Sequence, residues 1–144
     1  MIIPDINILV HAYNLDAREH KLARAWWENM LRSSRPVGLP WATILGFIRV
    51  STIPRLTKRP LYPGEATDKV RTWLSAPYIR IVVPGENHAN LVFGMIEELG
   101  TAGNLTTDVH LAALAMEYNA EIATTDADFA RFRGLRWFNP TEVK

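Results

Sequence analysis

The sequence predicts an α/β protein with a parallel sheet covered by helices on both faces. Three observations lead there. Short apolar runs alternate with segments of helical period along the whole chain, which is the pattern of strand–helix–strand units. The 144 residues suffice for one ordinary domain with a real core. No internal repeat, low-complexity tract or linker divides residues 1–144, so a single domain is expected.

In order, residues 2–6 read as a buried strand and 7–13 as a short helix behind it. Pro4 is tolerable there near a strand start or at an edge. Asn14-Leu15-Asp16 is a turn. Residues 18–32 have helical period, with Leu22, Trp26 and Met30 on the inward stripe, and Ser33-Ser34-Arg35-Pro36 ends them. Residues 37–39 form a short strand, and Pro40 starts a helix running to about Val50. Residues 55–63 are proline-rich and irregular. Pro63 opens a helix to about Ser75, with Ala66, Val70, Trp73 and Leu74 facing inward. Residues 78–83 have strand composition, and 86–99 read as a helix closed by Gly100. After the turn Gly103-Asn104, Thr106 or Thr107 caps a helix to Tyr118. Residues 121–123 are a strand, 126–132 a short helical turn, and 135–138 a last strand.

Hydrophobic residues make up 48% and charged residues 22% of the chain, a globular composition. Cysteine is absent, which excludes disulfides, Cys-based zinc sites and a thiol nucleophile. No apolar run approaches a membrane span, and the N-terminus lacks the basic start of a signal peptide. A soluble cytoplasmic protein without a membrane partner is therefore expected. The net charge of +1 names no partner, but its distribution is uneven. Residues 29–64 hold no acid while carrying Arg32, Arg35, Arg49, Arg55, Lys58 and Arg59; acids outnumber bases from Glu65 onward. That suits a phosphate-binding side next to a carboxylate site. It equally suits solvated faces.

Three acids share one local context, a strand end or helix start beside a loop. Asp5 closes the first apolar run, Asp108 lies in the first turn after Asn104-Leu105-Thr106-Thr107, and Asp126 follows the strand at 121–123. Loops after successive parallel strands open onto one edge of the sheet, so such acids can converge. Each also has an ordinary reading as a cap or turn residue. Converging carboxylates repel one another unless cations neutralise them, and hard divalent ions such as Mg²⁺ or Mn²⁺ meet that need. Such ions polarise a phosphoryl oxygen and promote phosphodiester hydrolysis, and the basic stretch would receive the phosphates.

Other candidates are weaker. His11, His20, His88 and His110 show no metal-ligand spacing and read as solvent-facing or packing residues. The five tryptophans read as core and interface residues before base-stacking platforms. No nucleophile elbow, Walker loop or dinucleotide glycine pattern occurs.

The ordered set Asp5-Ile6-Asn7, Asn104-Leu105-Thr106-Thr107-Asp108 and Thr124-Thr125-Asp126-Ala127-Asp128-Phe129 resembles the PIN-domain nucleases. More narrowly, the chain resembles the VapC toxins of bacterial toxin–antitoxin pairs. The stretches Gly38-Leu39-Pro40-Trp41 to Arg49-Val50 and Phe129 to Pro140 look like one VapC subgroup. The resemblance implies a PIN-like domain over residues 1–144, with a parallel four- to five-stranded sheet in a three-layer α/β/α sandwich. It further implies an Mg²⁺- or Mn²⁺-dependent endoribonuclease acting on RNA, a VapB-type antitoxin partner and a homodimer. The metal-site acids map onto Asp5, Asp108 and Asp126, with Asn7 supporting the first and Thr124 or Thr125 standing beside the last.

One departure stands out. These nucleases usually carry a Glu early in the helix after the second strand, and the register of Phe47-Ile48-Arg49-Val50 puts Gly46 there. Asp128, Glu65 and Glu86 are the candidate replacements. The gap motivates an alternative, a pseudo-nuclease that acts by binding RNA or a partner protein. A phosphatase with Asp5 as nucleophile ranks last, because residue 7 is Asn rather than Asp.

Overall fold

The computed structural model describes residues 1–142. Five strands, β1 (Ile2–Pro4), β2 (Val37–Pro40), β3 (Ile79–Val82), β4 (Glu121–Ala123) and β5 (Trp137–Phe138), form one sheet in the order β3-β2-β1-β4-β5. Every neighbouring pair is parallel. Six helices connect them: α1 (Ile6–Tyr13), α2 (His20–Arg32), α3 (Trp41–Thr52), α4 (Pro63–Ser75), α5 (His88–Leu99) and α6 (Thr106–Glu117). Two 3-10 turns, Gly103–Leu105 and Ala127–Arg131, precede α6 and follow β4. The expected α/β class and parallel sheet are present, at the upper end of the expected strand number.

Alternation along the strands splits the core in two, because successive side chains point to opposite faces. Ile2 packs with the α1–α4 layer, among Leu9, Trp27, Phe47 and Trp73. Its neighbour Ile3 packs with the α5–α6 layer, among Val109, Leu111 and Phe129. Ala123 and Ile122 repeat the division on β4. In the first layer Trp73 meets Phe47, Trp27 and Tyr13 at ring separations of 4.7, 5.4 and 5.7 Å. Its indole N–H donates to the Tyr13 hydroxyl at 2.9 Å.

Two expectations are corrected in detail. The inward stripe of α2 is Ala23, Trp27 and Met30, whereas Leu22 is 45% exposed and Trp26 only partly covered. Adjacent tryptophans lie 100° apart on a helix, and periodicity cannot choose between them when both are large. Pro4 sits neither at a strand start nor on an edge. It ends the central strand, paired with Ala123 of β4, where the ladder needs no further N–H from it. Its carbonyl accepts from the buried Thr43 hydroxyl at 3.0 Å.

Strand order reverses between β1 and β4. In open parallel sheets this switch point leaves a crevice beyond the strands' carboxyl ends, where ligands bind.

Candidate functional site

Asp5 follows β1 directly. Its backbone N–H continues the ladder to the Ala123 carbonyl at 2.9 Å, so the residue is fixed at the carboxyl edge. One carboxylate oxygen, Oδ1, accepts from the Ile6 N–H at 2.7 Å and caps α1. The other, Oδ2, accepts from the fully buried Thr124 hydroxyl at 2.8 Å. Thr124 and Thr125 follow β4, and Asn7 clamps that segment by accepting from the Thr125 N–H at 3.2 Å. The Thr124 hydroxyl oxygen also accepts from the Asp126 N–H at 3.0 Å. Thr124 thus joins the two strand ends and holds Asp5 and Asp126 on one edge.

Asp126 caps the following 3-10 turn, its Oδ1 accepting from the Asp128 N–H at 2.9 Å. Asp108 arrives from the third side, in the first turn of α6. That helix runs back along the sheet toward β4, which places its N-terminus at the same edge. Its N-cap position is Leu105, which makes no side-chain cap bond, so the expected Thr106 or Thr107 cap is not made. Thr106 donates backward to the Gly103 carbonyl at 2.7 Å instead.

The three acids feel one another. Burial raises the Asp5 carboxyl, the Thr124 and Ile6 hydrogen bonds oppose that rise, and the charge of Asp126 adds to it. Asp108 is pushed up to about 7, first by burial and then by Asp5, Asp126 and Asp128 in turn. Among the described residues none of Asp5, Asp108 and Asp126 has a basic side chain in ion-pair contact. An all-oxygen set with uncompensated negative charge has the donor chemistry of a hard divalent cation site. The fit is chemical and falls short of a finished cage: no three acid or imidazole groups among the described residues are gathered tightly enough to hold an ion as they stand.

Gly46 of α3 faces the Ile6 side chain. A Cβ placed there would run into Cδ1 and Cγ1 of Ile6, so a side chain at 46 requires Ile6 to shift. The Ile6 side chain, next to Asp5, therefore fills the space a side chain at 46 would use. Of the replacements considered, Glu65 caps α4 by accepting from the Tyr62 N–H at 3.0 Å. Glu86 is exposed and does not figure among the charges acting on Asp5 or Asp108. Asp128 does act on Asp108.

Sequence reasoning missed one arrangement. His88 Nδ1 lies 2.7 Å from a Glu117 carboxylate oxygen, and its Nε2 lies 2.9 Å from His110 Nδ1. The other Glu117 oxygen accepts from the Gly85 N–H at 2.9 Å. These histidines pin α5 to α6. They are paired, partly covered groups rather than free solvent-facing ones, and the spacing of Glu117 and His110, seven residues along one helix, was the available signal.

A model of the PIN-domain family matches residues 2–135. The chain belongs to that family, in its VapC branch. It is 42% identical over 140 residues to ribonuclease VapC33 of Mycobacterium tuberculosis, covering 97% of this chain and 98% of that protein. Ribonuclease VapC37 of the same species is 40% identical over 140 residues, with 97% of each chain covered. Among solved structures, VapBC2 from Rickettsia felis, bound to a DNA fragment from its promoter, matches with a TM-score of 0.68 and 19% identity. That match spans 96% of this chain and 98% of the other. VapBC-1 from nontypeable Haemophilus influenzae matches with the same TM-score and 16% identity, over 99% and 100%. At such identities the structures speak for the PIN fold alone, and they carry it over the full length.

Proposed function

We propose that this VapC-family protein is the toxin of a toxin–antitoxin pair, a divalent-metal-dependent endoribonuclease acting in the cytoplasm, with Asp5, Asp108 and Asp126 as its metal-site carboxylates. The observation that carries the reading is the convergence of these acids at the switch point of the sheet, with Asp108 pushed up to about 7 by burial and by the charges of Asp5, Asp126 and Asp128. The relatives' designation as ribonucleases supports the activity. When bound, Mg²⁺ or Mn²⁺ would supply Lewis-acid polarisation of a phosphoryl oxygen and charge for the leaving oxyanion.

The chain's own residues do the rest. Thr124 holds the Asp5 carboxylate by its Oδ2, so one orientation is maintained while the other acids adjust. Asn7 fixes the Thr125 backbone and with it the position of Asp126. Asp108, pushed up to about 7 by burial and its acidic neighbours, would give up its proton as a cation entered, so cation binding and proton release would be coupled there. Arg49, Arg55 and Lys58 are exposed and without ion-pair partners among the described residues, which leaves them to contact RNA phosphates.

The expected partners follow the same reading: a VapB-type antitoxin, supported by structural neighbours that are VapBC and FitAB complexes, and a second copy of the chain. Trp41, Leu45 and Phe93 are 51, 58 and 61% exposed and offer apolar surface for such contacts.

Purified protein with Mn²⁺ or Mg²⁺ should cut single-stranded RNA, and Asp5→Asn or Asp108→Asn should abolish cutting while the far-UV spectrum stays native. Variants that cleave like the parent would disprove the site. One observation favours a second reading, RNA or partner binding without cutting: Ile6 occupies the space of the acid expected at Gly46. Tight RNA binding with no metal-dependent cleavage of any RNA would decide for it.

A further inference from the structure

Beside the acids, at the same edge of the sheet, lies a pocket of about 490 Å³ whose lining includes Arg18, Glu19, Leu22, Thr125, Asn139 and Glu142. Three elements meet there. Arg18 and Glu19 precede α2 and Leu22 belongs to it; Thr125 follows β4; Asn139 follows β5. Thr125 is the shared wall, since its neighbours in sequence are Thr124, which holds Asp5, and Asp126. The pocket is thus tied through Thr125 to the segment that carries the proposed cleavage site.

Its polar atoms are arranged for recognition. Asn139 Oδ1 accepts from both the Thr141 N–H, at 2.9 Å, and the Thr141 hydroxyl, at 2.7 Å. An N–H donor at that oxygen settles which end of the amide is which. The Asn139 NH₂ group is left without a protein acceptor among the described residues. Glu19 supplies a half-covered carboxylate, 3.9 Å from Arg18 Nε and 3.9 Å from His11 Nδ1. Among the described residues its ion-pair contacts are an almost fully exposed guanidinium and an imidazole whose charged form burial disfavours. Leu22, 45% exposed, is an apolar ledge beside them. His11 stands behind the wall, its Nε2 3.5 Å from the Thr125 hydroxyl.

We propose that this pocket receives a nucleobase of the RNA, the one adjoining the scissile phosphate, and that Glu19 and Asn139 read its edge. The inference rests on the nuclease reading for its choice of ligand. An unstacked base carries ring and exocyclic N–H donors, which the Glu19 carboxylate accepts. It also carries carbonyl and ring-nitrogen acceptors, which the Asn139 amide and Arg18 serve, while Leu22 covers one face of the ring. A peptide segment from a protein partner would instead seek a run of apolar anchor sites. In this lining Leu22 is the one large aliphatic side chain.

The test uses short single-stranded RNAs in which the bases flanking the cleaved bond are permuted through all four, plus an abasic analogue at each position. Cleavage by the full chain with Mn²⁺ is read as a ratio between bases, so a general loss of activity cancels. Binding of the same RNAs to Asp5→Asn is followed by fluorescence anisotropy. The parent protein should discriminate at one flanking position by about tenfold or more. Glu19→Gln and Asn139→Ala should each collapse that ratio, and Glu19→Gln, isosteric and at the surface, guards against a folding defect in the other variant. A preference left intact in both variants overturns the pocket, as does a parent protein that tells no base from another. If the variants leave base preference alone yet lose affinity for an antitoxin peptide, the pocket belongs to a protein and the proposal is overturned. Cleavage absent from every RNA, with base-dependent binding that Glu19→Gln erases, would sink the nuclease reading and support the pocket.

Discussion

At the residue scale, the acids proposed for the metal site are also structural residues. Asp5 caps α1 with one oxygen and binds Thr124 with the other. Asp126 caps a 3-10 turn while its charge raises its neighbours. Thr124 carries more than its type suggests, because among the described residues its buried hydroxyl is the one side-chain donor to Asp5. Thr124→Val keeps the shape and strands that carboxylate, so a loss of about 1–3 kcal/mol is expected, read by urea denaturation. A fall in cleavage of roughly ten- to a hundredfold should accompany it, as for outer-shell partners of metal ligands. Asp108 gives a pH signature. Its folded carboxyl titrates at about 7 against an ordinary 3.8, so between those values the folded state carries the extra proton. Stability from this group is present at low pH and is lost as pH rises through 7. The Tm of the metal-free protein should therefore decline from pH 5 to 8, and Asp108→Asn should flatten that decline. An unchanged slope would show that Asp108 titrates normally.

At the element scale, α1 and α3 touch through a pair no single residue explains. Ile6 and Gly46 share one space, so they form a coupled choice in which a bulky residue after Asp5 demands a glycine in α3. Gly46→Ala should cost about 1–3 kcal/mol through overpacking, and Ile6→Ala should relieve much of it in the double variant. The non-additivity, read from a chemical-denaturation cycle, is the measure. Gly46→Glu alone should destabilise without raising activity. Helix boundaries were well marked where chemistry marks them: Pro63 opens α4 and Gly100, at φ 71°, closes α5. They were poorly marked at residues 18–20 and 86–88, where the N-cap residues Glu19 and Asn87 make no side-chain cap bond.

At the scale of the whole molecule, the strand order 3-2-1-4-5 is what brings scattered acids to one edge of the sheet. Asp5 and Asp126 are 121 positions apart and meet because β1 pairs with β4, while Asp108 joins them because α6 runs back along the sheet. A cation that binds only this folded arrangement should stabilise it. Mn²⁺ at about a hundredfold excess over its dissociation constant would contribute ~2.7 kcal/mol, a Tm rise of a few degrees for a domain of this size. The rise should grow from pH 6 to pH 8, as Asp108 gives up its proton, and vanish in Asp5→Asn. A Tm indifferent to Mn²⁺ in the parent protein would refute the metal site.

The sequence by itself determined the class of the fold and the alternation of strands and helices, and it singled out the three acids proposed for the site, because hydrophobic period and turn chemistry are local and the acid-bearing motifs occur in family order. Which tryptophan of α2 enters the core, how His88, His110 and Glu117 pair, and what a side chain at Gly46 would meet were decided by the tertiary structure. Each depends on what stands opposite: a rotation of α2 against the sheet, the approach of α5 to α6, and the Ile6 side chain in the space beside Asp5. Packing is a relation between distant segments, and a linear pattern carries only one side of it. The pocket beside Thr125 is the extreme case, assembled from residues near positions 19, 125 and 139 that share no motif and become neighbours only when β4 and β5 close the sheet.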